Sequence, residues 1–203
     1  KDELVTIQRA DIDLQKQSRS LMPDGTVDEL TQNELVNLIA FLSQLGKIGD
    51  FALSKQRYAR SWQVLQFSPE SHRVLNRNGI DSASKDVEVF QWGNHYATVQ
   101  GFIPTGRLPR IAPHTLDNPF SFIRSNLEVT QSGELTISIE HADNILLWLN
   151  GKPTPLTNGK TAVTLPIGTH RIVLGVQQAD RDSNNIRVNA IPAGESNIQF
   201  QWD

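Results

Sequence analysis

Apolar residues recur along this chain with two different periods. Over residues 31–46, TQNELVNLIAFLSQLG, the residues Leu35, Leu38, Ile39, Leu42 and Leu45 fall at helical spacing, with Asn33, Asn37, Ser43 and Gln44 on other faces. This predicts an amphipathic helix. Thr31 and Glu34 stand at capping-box spacing, where each side chain satisfies an unpaired N–H of the first turn, and Gly46 suits the left-handed residue that ends a helix. From about residue 57 the period drops to two and turn residues separate short segments. GELTISIE sets Leu135, Ile137 and Ile139 against polar neighbours, and HRIVLGV does the same with Ile172, Leu174 and Val176. Further strands are predicted near 60–67, 86–91, 96–103, 120–130, 144–149, 161–165, 185–191 and 197–202, so the count is of the order of a jelly roll. Asn150-Gly151 is the favoured pair for a type I′ hairpin turn, and Pro166 with Gly168 predicts a second reversal. Residues 104–119 carry four prolines with little alternation and are expected to form a long surface loop or cover. The pattern therefore predicts a mainly β protein: a jelly-roll-like antiparallel β-sandwich over 51–203, preceded by a short helical segment within 1–50.

Composition narrows the function classes. The chain has 203 residues, 38% of them hydrophobic, which is enough for a substantial core. Its formal net charge is -3 and no basic block occurs, so a nucleic-acid or anionic-membrane partner is not expected. The longest apolar run, ILLWL at 145–149, is far too short to span a bilayer. Cysteine is absent, which removes disulfides, zinc–thiolate sites, a cysteine nucleophile and covalent haem attachment within this chain. No methionine or signal peptide opens the sequence, and it reads as part of something longer.

Candidate chemistry is sparse. The five histidines, 72, 95, 114, 141 and 170, show neither H-x-x-x-H nor H-E-x-x-H spacing, and no serine sits in a G-x-S-x-G turn. In QADRDSNN, Asp180, Asp182 and Asn184 alternate as hard oxygen donors of the kind calcium prefers, although the glycine and distant glutamate of a calcium loop are lacking. A solvated turn is the simpler reading. Among the tryptophans, Trp148 lies in an apolar run and belongs to the core, whereas Trp92, in FQWGNHY beside Asn94 and His95, is the candidate exposed ring for stacking on a sugar, with a packed loop anchor as the simpler reading. Met22 is the only methionine, on a turn ahead of the predicted helix, and its thioether is a soft donor suited to haem iron as well as a flexible apolar filler.

The order of residues adds to this. VTIQRADID at 5–13, SLMPDG at 20–25 and LTQNELVNLIAFLSQLG at 30–46 together resemble the closing part of the cytochrome c domain in multidomain haem proteins of the planctomycete type. That family has an S-L-M-P-x-G loop and a final helix of the form L-T-x-x-E-x-x-D-L-I-A-Y-L. The resemblance covers roughly residues 4–46; it places the axial methionine on Met22 and the loop proline on Pro23, with Asn37 replacing an aspartate and Phe41 a tyrosine. The C-x-x-C-H segment that would bind haem c covalently is missing, so the resemblance implies either a haem carried upstream of this chain, the favoured reading, or descent from such a protein with loss of the haem. More loosely, HADNILLWLNGKPT followed by LPIGTHRIVLGVQ resembles jelly-roll sugar-binding domains of the galactose-binding and protective-antigen types.

These readings imply residues 1–50 as the incomplete end of a cytochrome c-like domain and 51–203 as an accessory β-sandwich. The expected function is that of an accessory or docking C-terminal portion of a periplasmic or exported c-type cytochrome, its partners being the upstream haem-bearing part or a redox protein. The alternative is a carbohydrate-binding or adhesion module, with a glycan near Trp92, Asn94 and His95. No catalytic constellation is expected.

Overall fold

The computed structural model describes residues 30–44, 58–114, 118–179, 181 and 183–203. Met22, Gly46, Asp180 and Asp182 lie outside the described residues. By its contacts the chain divides into two units, Lys1–Leu45 and Gly46–Asp203.

In the first unit the expected helix is present as α1, Gln32–Gln44. Its capping box is realised: the Thr31 backbone N–H donates to Glu34 Oε2 at 2.8 Å, and the Glu34 N–H donates to Thr31 Oγ1 at 3.3 Å. The hydrogen bonds from Thr31 hold the Glu34 carboxyl below the usual carboxylate range.

The second unit is a jelly-roll-like antiparallel β-sandwich. Its strands are β1 (Ser61–Leu65), β2 (Trp92–Tyr96), β3 (Phe102–Pro104), β4 (Phe120–Gln131), β5 (Gly133–Glu140), β6 (Ile145–Leu149), β7 (Lys152–Pro153), β8 (Lys160–Leu165), β9 (Gly168–Gln177), β10 (Asn185–Pro192) and β11 (Gln199–Trp202). Among the described residues, one sheet runs β2-β1-β4-β9-β6-β7, with β11 paired to β4, and the other runs β3-β10-β5-β8. Asn150 and Gly151 both adopt positive φ, 51° and 76°, as the predicted hairpin requires, and Leu149 pairs with Lys152 across it. Pro166 and Gly168 act differently: the chain there passes from β8 in the smaller sheet to β9 in the larger.

Alternation builds the space between the sheets. Val64, Ile123, Leu127, Ile172, Leu174 and Val176 of the larger sheet meet Leu135, Ile137, Ile139, Ile186 and Val188 of the smaller one, all at most 4% exposed. A second apolar cluster lies on the outer face of the larger sheet, where Phe120, Phe122, Trp148 and Val173 are covered by Leu75, Ala83 and Phe90. This cover includes helix α2, Pro69–Asn78, and the 3₁₀ turn Ile80–Ser84. It explains why the start of β4, FSFI, is buried on both faces and does not alternate.

Two expected strands are corrected. Residues 86–91 form the end of the cover, with a turn in which the Phe90 N–H donates to the Val87 carbonyl at 3.0 Å; Val89 is exposed and Phe90 buried. The strand expected at 96–103 is interrupted by a turn from Thr98 to Gly101: Tyr96 ends β2 opposite Ser61, and Phe102–Pro104 forms β3 in the other sheet. Gly101 has φ 82°, and a Cβ there would lie 2.7 Å from Tyr58 Cβ, so the close approach of the two chains requires glycine. Helix α2 was not expected from periodicity.

Candidate functional site

The cover ends before the sheet does, and a polar cleft opens beside it on the outer face of the larger sheet. Its floor is β4 and β9. Asn126 and Arg171 are cross-strand partners there, and Arg124 lies two residues before Asn126 on the same face. One wall is the end of the cover, Ser84, Lys85 and Asp86; the other is the β6–β7 turn with Asn150 and Gly151, and the enclosed volume is about 450 Å³. A notch of about 210 Å³ adjoins it, reaching Ser61, Gln63, Asn94 and Asp203. The pairing pattern creates this notch, because β1 and β11 share one edge of β4: β1 pairs at Gln63–Arg124 and Val64–Ile123, and β11 begins its pairing at Leu127. Asn126 lies in the gap between them.

Two guanidinium groups stand where the cleft and the notch meet, Arg171 lining the first and Arg124 the second. Arg124 donates from Nε to Gln63 Oε1 at 2.8 Å, and its guanidinium lies 4.2 Å over the Trp92 ring. Burial first, then the neighbouring Arg171, pull the Arg124 proton affinity down, while Asp86 opposes them. Arg171 Nη1 forms a close ion pair with Asp86 Oδ1, and Arg124 Nη1 approaches the same oxygen at 3.9 Å. One carboxylate thus serves two arginines. The arginine side chains are 20% and 33% exposed and the aspartate 77%.

The Asn-Gly hairpin contributes rigidity to the cleft wall. Asn150 Oδ1 accepts from the Arg171 backbone N–H at 2.9 Å, and its Nδ2 meets His170 Nδ1 at 2.9 Å. His170 Nε2 reaches the Pro166 carbonyl at 2.8 Å, which assigns the proton to Nε2 and leaves Nδ1 as the acceptor. Both amide atoms of Asn150 and both ring nitrogens of His170 are therefore engaged within the protein. The N-G-K and G-T-H segments form a structural lock that holds Arg171 in register.

The structure divides the three sugar-site candidates. Trp92 and Asn94 lie on one face of β2, toward the cleft, and His95 points to the other face, opposite Trp62. Trp92 is half-buried, packs against the cover's apolar cluster and carries Arg124 on its ring, so it acts as a packed anchor and a support for the arginine. Asn94 is exposed and lines the notch. His95 has its Nε2 buried without a hydrogen-bond partner among the described residues. Burial, and then the Arg107 cation, pull its imidazole below the usual range.

Elsewhere, Trp148 is buried at 2% exposure, and its indole N–H donates to Asp81 Oδ1 at 2.8 Å. Around the loop of Asp180 and Asp182, the described Arg181 donates to the carbonyls of His141 and Asp143, tying two loops together. No group of three or more His, Asp or Glu side chains able to hold a metal occurs among the described residues. Asn94, singled out in the sequence, lines the notch, whereas Arg124, Asn126 and Arg171 were not singled out. Alternation placed the latter three on the polar face of their strands, but only strand pairing brings them together.

No protein-family model matches the chain, and no curated protein matches it. Solved structures similar to parts of it include a β-glucosidase from Kluyveromyces marxianus, 10% identical over 70% of this chain and 17% of that one, with a TM-score of 0.40. A β-glucuronidase from an uncultured Clostridium is 10% identical over 73% of this chain and 33% of its own, with a TM-score of 0.37. A family two carbohydrate esterase from Clostridium thermocellum, in complex with cellohexaose, is 17% identical over 49% of this chain and 33% of its own, at a TM-score of 0.24. The chain spans a third or less of each of these proteins. The fold class itself, a jelly-roll-like antiparallel β-sandwich, stands on the strand pairing described above.

Proposed function

We propose that this chain is the accessory C-terminal portion of an exported c-type cytochrome, with the haem carried by a segment upstream and the β-sandwich serving to dock or target the redox domain. The observation that carries this reading is α1. It has the capping box of the resembling family's final helix, yet Ile39 and Leu42 on its apolar stripe are 57% and 56% exposed. An apolar stripe of this kind is built to be covered. The haem-bearing part of a cytochrome domain is the cover that the SLMPDG resemblance implies.

With no cysteine in the chain, covalent attachment must come from elsewhere, and the residue here suited to the haem is Met22, a soft axial donor. The bound haem would supply one-electron transfer. The test uses the longer haem-bearing protein: Met22→Ala is expected to change the ferrous absorption spectrum and shift the reduction potential, and an unchanged spectrum and potential would overturn the assignment.

A second reading, a glycan-binding module, is favoured by the cleft, because amide and guanidinium side chains on a rigid sheet suit the hydroxyls of a saccharide. The two readings are compatible, since a glycan-binding sandwich is one way of targeting a redox domain.

A further inference from the structure

We propose that the cleft binds a carboxylate-bearing saccharide, a uronate, whose carboxylate takes the place on Arg124 and Arg171 that Asp86 now occupies. This inference rests on the glycan-binding reading and names its ligand class.

The charge distribution argues for an exchangeable carboxylate. Arg124 and Arg171 face Asp86, Lys85 lines the same cleft, and the remaining acid, Asp203, lines the far end of the notch. The two guanidinium groups are the embedded partners. Arg124 is held by Gln63 and Trp92, and the backbone of Arg171 is fixed on both sides by Asn150, whose Oδ1 accepts its N–H and whose own N–H donates to its carbonyl at 2.9 Å. The Asp86 carboxylate is the most exposed member of the set, 77% in water at the corner of the cover. Releasing the carboxylate to solvent costs it little, because it already stands mostly in water. Leaving two arginines side by side with no anion is unfavourable, as the depression of Arg124 by Arg171 indicates. An incoming carboxylate removes that penalty and gains charge-assisted hydrogen bonds from preorganised donors.

The remaining lining selects the body of the ligand. Asn126, half-buried on the floor, and exposed Asn94 offer amide donors and acceptors for hydroxyl groups, and the volume of about 450 Å³ admits a sugar residue with its carboxylate. The cleft and the adjoining notch lack the apolar pockets that would anchor the side chains of an acidic peptide, their walls being polar side chains such as Ser84, Asn126, Asn150, Thr169 and Gln63.

The deciding experiment is calorimetric titration of the 203-residue chain at low salt with trigalacturonate, a glucuronate disaccharide, maltotriose and a short poly-glutamate peptide. At least one uronate is expected to bind, and more weakly as salt is raised. Arg171→Gln is expected to weaken binding by about tenfold. Asp86→Asn, which removes the internal competitor, is expected to tighten binding by a few-fold, whereas an ion pair that merely anchors the cover predicts a lower melting temperature and no gain. Maltotriose binding as tightly as the uronates and indifferent to Arg171→Gln would overturn the inference while leaving the glycan-binding reading in place. Absence of binding to any saccharide, in wild type and Asp86→Asn alike, would remove both. Poly-glutamate binding more tightly than the uronates in an Arg171-dependent way would overturn the saccharide assignment.

Discussion

His95 and His170 show how one residue type acquires different chemistry from its surroundings. His170 is 6% exposed but satisfied at both nitrogens by Asn150 and Pro166, so burial there costs no hydrogen bond. His95 is less enclosed, yet its Nε2 has no hydrogen-bond partner among the described residues, and burial, then the Arg107 cation, disfavours its protonation. A histidine whose folded pKa lies below its unfolded value, about 6.5, contributes stability that is present above that pH and lost as pH falls through the folded pKa. Wild type is therefore expected to lose melting temperature between pH 7.5 and pH 5 more steeply than His95→Gln. Equal slopes in thermal melts of the two proteins would show that His95 titrates as it does in the unfolded chain. Neither environment is visible in the linear sequence, because Asn150, Pro166 and Arg107 reach these rings through strand pairing and loop packing.

Among the elements, α1 and α2 illustrate what periodicity captures. In α1 the apolar residues recur regularly and the Thr31–Glu34 cap announces the start. Helix α2 is ten residues long and buries only Ser71 and Leu75, so it carries almost no apolar stripe. Its start signal is local: Ser68 accepts from the Ser71 N–H at 3.0 Å, Ser71 Oγ accepts from the Ser68 N–H at 2.9 Å, and Pro69 opens the first turn. The string SPES therefore contained a capping pattern that a search for hydrophobic spacing passes over. Ser68→Ala is expected to lower unfolding stability by about 1 kcal/mol, measured by denaturant titration; no change would mean that the cover is held by Leu75 and its neighbours alone. The opposite error occurred at 86–91, where Val87 and Val89 against Asp86 and Glu88 mimic alternation. The chain there is leaving the cover to join the sheet edge at Trp92, and its Val89 side chain remains 42% exposed.

For the molecule as a whole, the two apolar layers on either side of the larger sheet set the position of the cleft. Gly175 marks how closely the outer layer is packed: a Cβ there would lie 2.9 Å from Trp148 Cζ3 and 3.4 Å from Phe122 Cε1. The indole cannot move aside without breaking its bond to Asp81. Gly175→Ala is expected to destabilise the protein by about 1–3 kcal/mol through overpacking, seen as a lower denaturant midpoint with an unchanged slope. An unchanged midpoint would indicate that the cover yields. The same layer ends at Ser84–Asp86, and beyond it the sheet's outer face turns from aromatic to polar. The hydrophobic pattern determined the β class, the inner faces of β5 and β9, the Asn150-Gly151 hairpin and helix α1, because each depends on residues a few positions apart. Tertiary structure alone decided that β1 and β11 share an edge of β4, that 69–90 folds over the outer face, and that Asp86 meets Arg124 and Arg171. Those contacts join residues separated by 38 to 85 positions, and no local period records which polar face of one strand will lie beside which polar face of another.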